Sequence, residues 1–243
     1  MWLISFFLIS YCSSVKTLAL PEYIKSCYRN DPHLNDCALK SGRDSINLFA
    51  AGDPSRGLRP LDPLHIPEII VHIPDKNGLK ILFKDNDFKG LSHLYLSNID
   101  FNLKKKIISA EGLVSLDVKN KYELSGKILL LPISSHGDSS IKLKNTTLNF
   151  RMWYEHVTKD DGKIYWSITR HDVKFSVEKA IFRLENLLGD KNIGDQINNV
   201  LNQMSQEVVA DVGPSLCDDI TTEVVKNIDI LLNQVPFDEL MPE

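Results

Sequence analysis

Cysteine is scarce in this chain: four in 243 residues, at positions 12, 27, 37 and 217. That is far too few for a scaffold built on disulfides, and no two stand as a C-x-x-C metal or redox pair. Charge of one sign is lacking as well. The 28 basic and 32 acidic residues leave a formal net charge of −4, with none of the basic excess that a nucleic-acid partner requires. The one basic run, Lys104-Lys105-Lys106, reads as a turn or a solvated strand edge. Beyond the N-terminus no window reaches 18 apolar residues, so stable membrane insertion is not expected.

Signatures of chemistry are missing too. There is no H-E-x-x-H, no phosphate loop and no G-x-G-x-x-G. Gly90-Leu91-Ser92-His93-Leu94 puts leucine where a nucleophile elbow needs its second glycine. Asp85-Asn86-Asp87-Phe88-Lys89-Gly90 imitates the start of a calcium loop, but Lys89 takes a ligand position and Leu96 stands where a bidentate glutamate belongs. The seven histidines are scattered, with no pair at i, i+2 or i+4. We therefore assign no catalytic residue, no metal site and no cofactor, and expect no enzyme.

What is present begins with an apolar run from Met1 to Cys12, too short to span a bilayer and followed by small residues. It reads as a secretory leader over residues 1–19, with Thr17-Leu18-Ala19 as the cleavage site and Cys12-Ser13-Ser14 as the competing one. Residues 20–243 are then one secreted, extracellular domain. In that oxidising route Cys27 and Cys37 form a disulfide closing a short loop, and Cys217 is left over as a buried free thiol or, alternatively, an intermolecular bridge. Asn145-Thr146-Thr147 becomes a usable glycosylation sequon.

Apolar residues between His33 and Ala50 predict a first helix, ended by Gly52-Asp53-Pro54. From about Glu68 to Leu187 the period is two: Val114-Leu116-Val118, Ile141-Leu143, Leu148-Phe150-Met152-Tyr154, Ile164-Trp166-Ile168 and Val173-Phe175-Val177. Asp160-Asp161-Gly162 predicts a hairpin turn. No helix-length segment intervenes, so the sheet is expected to be antiparallel. The alternation also changes phase, between Leu96 and Ile99, between Leu143 and Leu148, and between Ile168 and Val173. Each change marks either a turn between short strands or a bulge that bends one long strand.

From Ile193 to Val235 the period changes to that of a helix. Ile193, Ile197, Val200, Leu201, Met204, Val208, Val212 and their successors step by three or four, and Asn198, Asn199, Gln203 and Gln206 fall between them. Gly213-Pro214 predicts a kink or break. The architecture expected is α+β, a long C-terminal helix wrapped by a strongly curved antiparallel sheet (a super-roll). Curvature opens space between such layers, leaving either an elongated apolar cavity or a filled core.

Four stretches resemble the takeout and juvenile-hormone-binding protein family of secreted insect proteins, a family with circadian and behavioural associations. They are Cys27 with Leu34-Asn35-Asp36-Cys37, and Asp62-Pro63-Leu64 leading to Ile66 and Ile69. The third is Tyr122-x-Leu124-x-Gly126-x-Ile128-Leu129-Leu130-Leu131-Pro132-Ile133 with Gly137. The last is Asn186-Leu187-Leu188-Gly189-Asp190-Lys191 with Asn198, Leu201 and Asn202. Gln203-Met204-Ser205 departs from the family pattern, and the absence of a second cysteine pair leans toward the takeout branch. The resemblance implies a non-enzymatic carrier holding a small hydrophobic ligand, fatty-acid-like or terpenoid and possibly juvenile-hormone-like, in an interior tunnel. The alternative is a secreted signalling protein with a filled core. Expected tunnel residues are Phe101, Val114, Leu116, Leu129, Leu131, Phe150, Met152, Trp166, Phe175, Ile197, Leu201 and Met204, with Tyr154 or a nearby threonine orienting a polar head. The sequence names no protein partner.

Overall fold

A computed structural model describes residues 17–73, 78–128 and 131–243; at 127, 128 and 131–133 it describes the backbone alone. The first helix, α1 (Leu34–Ala51), ends at Gly52, whose φ of 79° lies outside the range favoured by residues with a Cβ. Cys37 on this helix is bonded to Cys27, tying the preceding segment to α1. Six strands follow: β1 (Leu64–Ile73), β2 (Leu79–Lys89), β3 (Tyr95–Asn102), β4 (Ile107–Ile128), β5 (Leu131–Thr158) and β6 (Ile164–Leu184). Every pairing is antiparallel, in the order β1-β2-β4-β5-β6. β3 pairs with the N-terminal part of β4, so β2 and β3 lie end to end along one neighbour. The predicted hairpin turn at residues 160–162 joins β5 to β6.

At 22, 28 and 21 residues, the last three strands are several times longer than an ordinary strand. They stay together only by bending, and two of the three phase changes in the sequence fall at breaks in their register, the other in the short β3. The register shifts between Leu96 and Asn98 in β3, across Lys144-Asn145 in β5 opposite Ser115, and at Thr169 in β6. A fourth bulge, between Lys84 and Asp87 in β2, was not anticipated from the sequence. There Asp85 takes a φ of 52° and Asn86 turns inward, fully buried, with its amide bonded to the Ile66 and Phe83 carbonyls.

Three further helices close the concave side: α2 (Lys191–Gln203), α3 (Ser205–Gln234) and the short α4 (Phe237–Leu240). The helix does not break at Gly213-Pro214. Pro214 and Ala210, whose carbonyl loses its partner, are both exposed, which leaves the freed group open to solvent. Gly213 serves a contact instead: a Cβ there would lie 2.7 Å from Cζ of Phe175. The break falls at Met204, where the sequence carries neither glycine nor proline.

The helices also complete the free edge of β6. Asn198 accepts from the Leu184 N–H and donates to the Leu184 carbonyl, both at 2.9 Å. One turn on, Asn202 does the same to Phe182, at 2.7 and 2.9 Å. Far along α3, Asp229 accepts from the Ile168 N–H. The other flank is tied by Asn227, which bonds both the N–H and the carbonyl of Arg59. Side chains thus supply the partners that an edge strand otherwise offers to another chain.

Candidate functional site

The space between α3 and the sheet is divided. One chamber, about 310 Å³, lies at the α2 end. Its sheet wall comes from Ile73, Leu79, Ile81, Phe83, Leu124 and Phe182; its helix wall is Ile197, Leu201, Val208 and Val212. A second chamber, about 280 Å³, lies at the α1 end between Phe101, Ile108, Met152 and Trp166 on the sheet, Ala38, Gly42, Ile46 and Phe49 on α1, and Ile228 and Leu232 on α3. Both sit at the lower end of the ~300–1,000 Å³ typical of ligand sites. Between them α3 packs directly on the sheet: Leu216, Ile220 and Val224 meet the core around Leu143, Phe175 and Val177. Among the described residues the space takes the form of two apolar chambers, with α3 close against Phe175 at Gly213 between them.

The polar groups near these walls are largely satisfied. Ser41 bonds the Lys25 backbone through its hydroxyl, and Ser45 the Tyr23 carbonyl. In the α2 chamber the Tyr122 hydroxyl donates to the Glu185 carbonyl and contacts Ser135. At the α1 end, Tyr154 stacks on Trp166 with ring centroids 4.1 Å apart, and Phe101 and Phe237 approach the same indole. Burial pushes the Tyr154 hydroxyl up to about 12, so it stays protonated.

The expected site residues are distributed unevenly. Ile197 and Leu201 line the α2 chamber; Phe101, Met152 and Trp166 line the α1 chamber. Val114 and Leu116 are buried in the wall of the sheet. Phe150 and Phe175 pack on the core without bordering a chamber, and Tyr154 lies behind Trp166. Met204 points to solvent, 49% exposed, because the break at this residue ends the stripe that α2 turns inward. Leu129 and the side chain of Leu131 lie outside the described residues, as does the leader up to residue 16. The inner face of α1, the first two strands and Leu240-Met241 went unassigned from sequence. Ile46 and Phe49 were legible as an apolar helix face, but nothing in the pattern said which surface that face would cover.

Ser92, His93 and Asp62 stand together: the Ser92 hydroxyl lies 3.1 Å from His93 Nδ1 and also reaches the Asp62 carboxylate, so the serine, not the histidine, lies between the other two. The Ser92 hydroxyl donates to Asp62, and the Asp62 carboxylate also accepts from the Gly90 and Ser92 amides. Burial pulls the Asp62 carboxyl upward, but these hydrogen bonds, led by the Ser92 hydroxyl, hold it below its ordinary value. A carboxylate so occupied caps a short turn and is a weak base. Among the described residues no group of three or more His, Cys, Asp or Glu side chains could hold a metal ion, and no helix is long and apolar enough to cross a membrane.

The long coiled strands and the helix laid along them agree with known proteins. The profile described as "Haemolymph juvenile hormone binding protein (JHBP)" matches residues 5–242. The chain belongs to this family. It is 25% identical over 229 residues to the "Circadian clock-controlled protein daywake" of Drosophila melanogaster, and 24% identical to its counterpart in Drosophila yakuba. Each alignment covers 90% of this chain and 87% of the relative. Among solved structures, Takeout 1 of Epiphyas postvittana superposes with a TM-score of 0.82 at 28% identity, covering 90% of this chain and all of that one. The curled antiparallel sheet, the long C-terminal helix and the Cys27–Cys37 disulfide are those of the Takeout fold.

Proposed function

We propose that this protein is a secreted, non-enzymatic carrier of a small hydrophobic molecule, fatty-acid-like or terpenoid. The observation that carries the reading is the pair of chambers with almost wholly apolar walls between α3 and the sheet. Burying a ~15-carbon chain at ~0.8 kcal/mol per CH₂ yields on the order of 10 kcal/mol before ordering costs, enough for micromolar binding or better. Family membership supports the same reading, since the matched profile is described by hormone binding.

Secretion is part of the proposal. Asn145 sits at the β5 bulge with its side chain exposed, which suits a glycan there, although its amide contacts Glu178 at 2.7 Å. The leader is proposed to end at the Ser14 alternative and not after Ala19, because residues 17–19 are bonded into the fold. The Thr17 hydroxyl meets Asp161 and Tyr165, the Leu18 N–H donates to the Gln234 carbonyl, and Arg56 donates to the Ala19 carbonyl.

Displacement of a fluorescent fatty acid by unlabelled terpenoids and fatty acids, followed by native mass spectrometry, tests the carrier reading. Saturable uptake with a discrete bound mass is expected. Absence of saturable uptake for every probe favours the filled-core signalling protein and rejects the carrier.

A further inference from the structure

The outer face of the sheet carries an arrangement that neither chamber explains. Met152 and Tyr154 point inward and are buried, so Trp153 between them faces out from β5, half-buried. The Arg170 guanidinium lies 3.7 Å from the centre of the Trp153 ring and that of Arg151 lies 5.8 Å from it, both within cation–π range. Arg170 stands opposite Trp153 in the register. The extra residue of the bulge there, Thr169, bonds the Trp153 carbonyl through its hydroxyl at 3.2 Å. Arg151 lies two residues back on the same strand and the same face.

The other arginines set these two apart. The chain has seven. Arg29, Arg56, Arg59 and Arg183 hold carboxylates, and Arg43 donates to the Leu96 carbonyl. Arg151 and Arg170 are exposed and, among the described residues, pair with no carboxylate, although Asp172 faces Arg151 in the register. One strand away, the turn from β3 to β4 adds Lys104 and Lys105, exposed and equally without a carboxylate, beside Lys106, which holds Glu155.

Stacking on a ring fixes a guanidinium while leaving its in-plane N–H groups free, so both forks stay open to a ligand. Two guanidiniums on one ring also put their charges closer together than the ~10 Å Debye length at 0.1 M salt. Guanidinium forks match the oxygens of sulfate and phosphate groups. The layout favours a polyanion over a bilayer. The indole is taken up by the two arginines instead of being free to enter a membrane interface, and the anionic leaflet of a membrane faces the cytoplasm.

Resting on the proposal that the protein is secreted, we infer that Arg151, Trp153 and Arg170, with Lys104 and Lys105, form a docking surface for a sulfated polysaccharide outside the cell. The two forks each take a sulfate, and the lysines extend the track across the neighbouring strand as point charges. Asp172 and Glu155 at its edge keep the attraction local, so the hold is reversible and weakens steeply with salt. Met152 lines the α1 chamber while Trp153 faces the other way. The protein can therefore be held by this surface with its ligand sites left free.

The test uses the full secreted chain, with size-defined heparin as the probe. Native protein should bind heparin in low salt, and the binding should fade as salt is raised. Arg151→Gln combined with Arg170→Gln should weaken it at least about tenfold and flatten the salt dependence. Arg151→Lys combined with Arg170→Lys keeps both charges but not the forks, and should fall most of the way with it. Lys84→Gln combined with Lys121→Gln removes the same charge from cations already paired with Glu123 and Asp85, and should change binding less than about twofold. Unaltered melting temperature and fluorescent fatty-acid uptake show that each variant is folded. An equal loss in the glutamine variants of the arginines and of the lysines would mean diffuse charge attraction, and overturns the inference. So does native protein that fails to bind heparin, or that binds only vesicles containing phosphatidylserine. Each of these results leaves the carrier reading intact. Protein retained in the cells instead of the medium overturns secretion, and with it the polysaccharide as partner.

Discussion

Asn198 offers the sharpest test of how the helices hold the sheet. Four helical residues advance about 6 Å along an axis, and two strand residues advance about 6.6 Å. Asparagines one turn apart therefore land on alternate residues of an antiparallel strand, as Asn198 does on Leu184 and Asn202 on Phe182. Each side chain replaces the neighbour that the edge of β6 lacks. Asn198→Leu keeps the size of the side chain and removes both bonds. Asn198 is only 4% exposed, so water reaches the orphaned Leu184 groups poorly. An unpaired buried N–H or C=O costs about 1–3 kcal/mol, which puts Asn198→Leu near 2–4 kcal/mol.

Asn202 is less deeply buried, and Asn202→Leu should cost closer to about 1 kcal/mol. In urea, the Asn198 variant should lower the midpoint by roughly 1 M with an unchanged slope. Hydrogen exchange should quicken selectively at Leu184, leaving the Ile141 amide on β5 protected. Asn198→Asp is a second probe: it keeps the acceptor for the Leu184 N–H but turns a carboxylate oxygen toward the Leu184 carbonyl, and should be at least as damaging. A loss below about 0.5 kcal/mol, with Leu184 exchange unaltered, would refute the idea that side-chain amides act as a surrogate strand.

Three other outcomes follow from particular contacts. Asp62→Ala removes the cap at residues 90–92 and should cost about 1 kcal/mol at neutral pH. Because the folded carboxyl titrates below its ordinary value, Asp62 contributes fully above about pH 5 and loses that contribution as pH falls through the depressed value. The gap between native protein and variant should therefore narrow in acid melts. Replacing Cys27 and Cys37 together by serine opens a short loop worth about 3 kcal/mol and should speed exchange along the inner face of α1. N-terminal sequencing of the secreted protein should begin before Thr17; a start at Leu20 would mean that the contacts of residues 17–19 are dispensable.

Much of this fold was readable because strand period is unforgiving. A one-residue slip reverses which face a side chain takes. The parity changes at Leu96–Ile99, Leu143–Leu148 and Ile168–Val173 had to be absorbed by turns or bulges, and all three are bulges within strands, two of them in the long β5 and β6. The bulge in β2 carries the same parity change, from Ile81 and Phe83 to Phe88, but only one apolar residue marks its far side because the first inward position after it, Asn86, is polar. Helix breaks escaped for a different reason. Proline at 214 carries the usual signal, but its cost vanishes on the solvent side, whereas the real break at Met204 is imposed by the docking of α2 on β6. The same docking explains why Asn198 and Asn202, polar by type, lie against the sheet while Val200 and Met204, apolar by type, face water.

The chambers were the least legible part, and the reason is geometric. Periodicity states that a side chain points inward; it does not state whether another fills the space opposite. Phe175 and Leu201 both carry the inward pattern, yet Phe175 meets α3 at the one position without a Cβ, Gly213, and the layers close there. Leu201 borders the α2 chamber, where the layers stay apart. A void is a property of pairs of elements, set by where a helix bends and where a glycine lets it approach. Gly213 therefore controls how closely α3 approaches the sheet at Phe175. Gly213→Val should push α3 from Phe175, cost about 1–3 kcal/mol through overpacking, and raise the bound lipid per chain as the chambers begin to merge. Unchanged lipid occupancy in a destabilised Gly213→Val protein would show that the waist is set elsewhere than at the Phe175 contact.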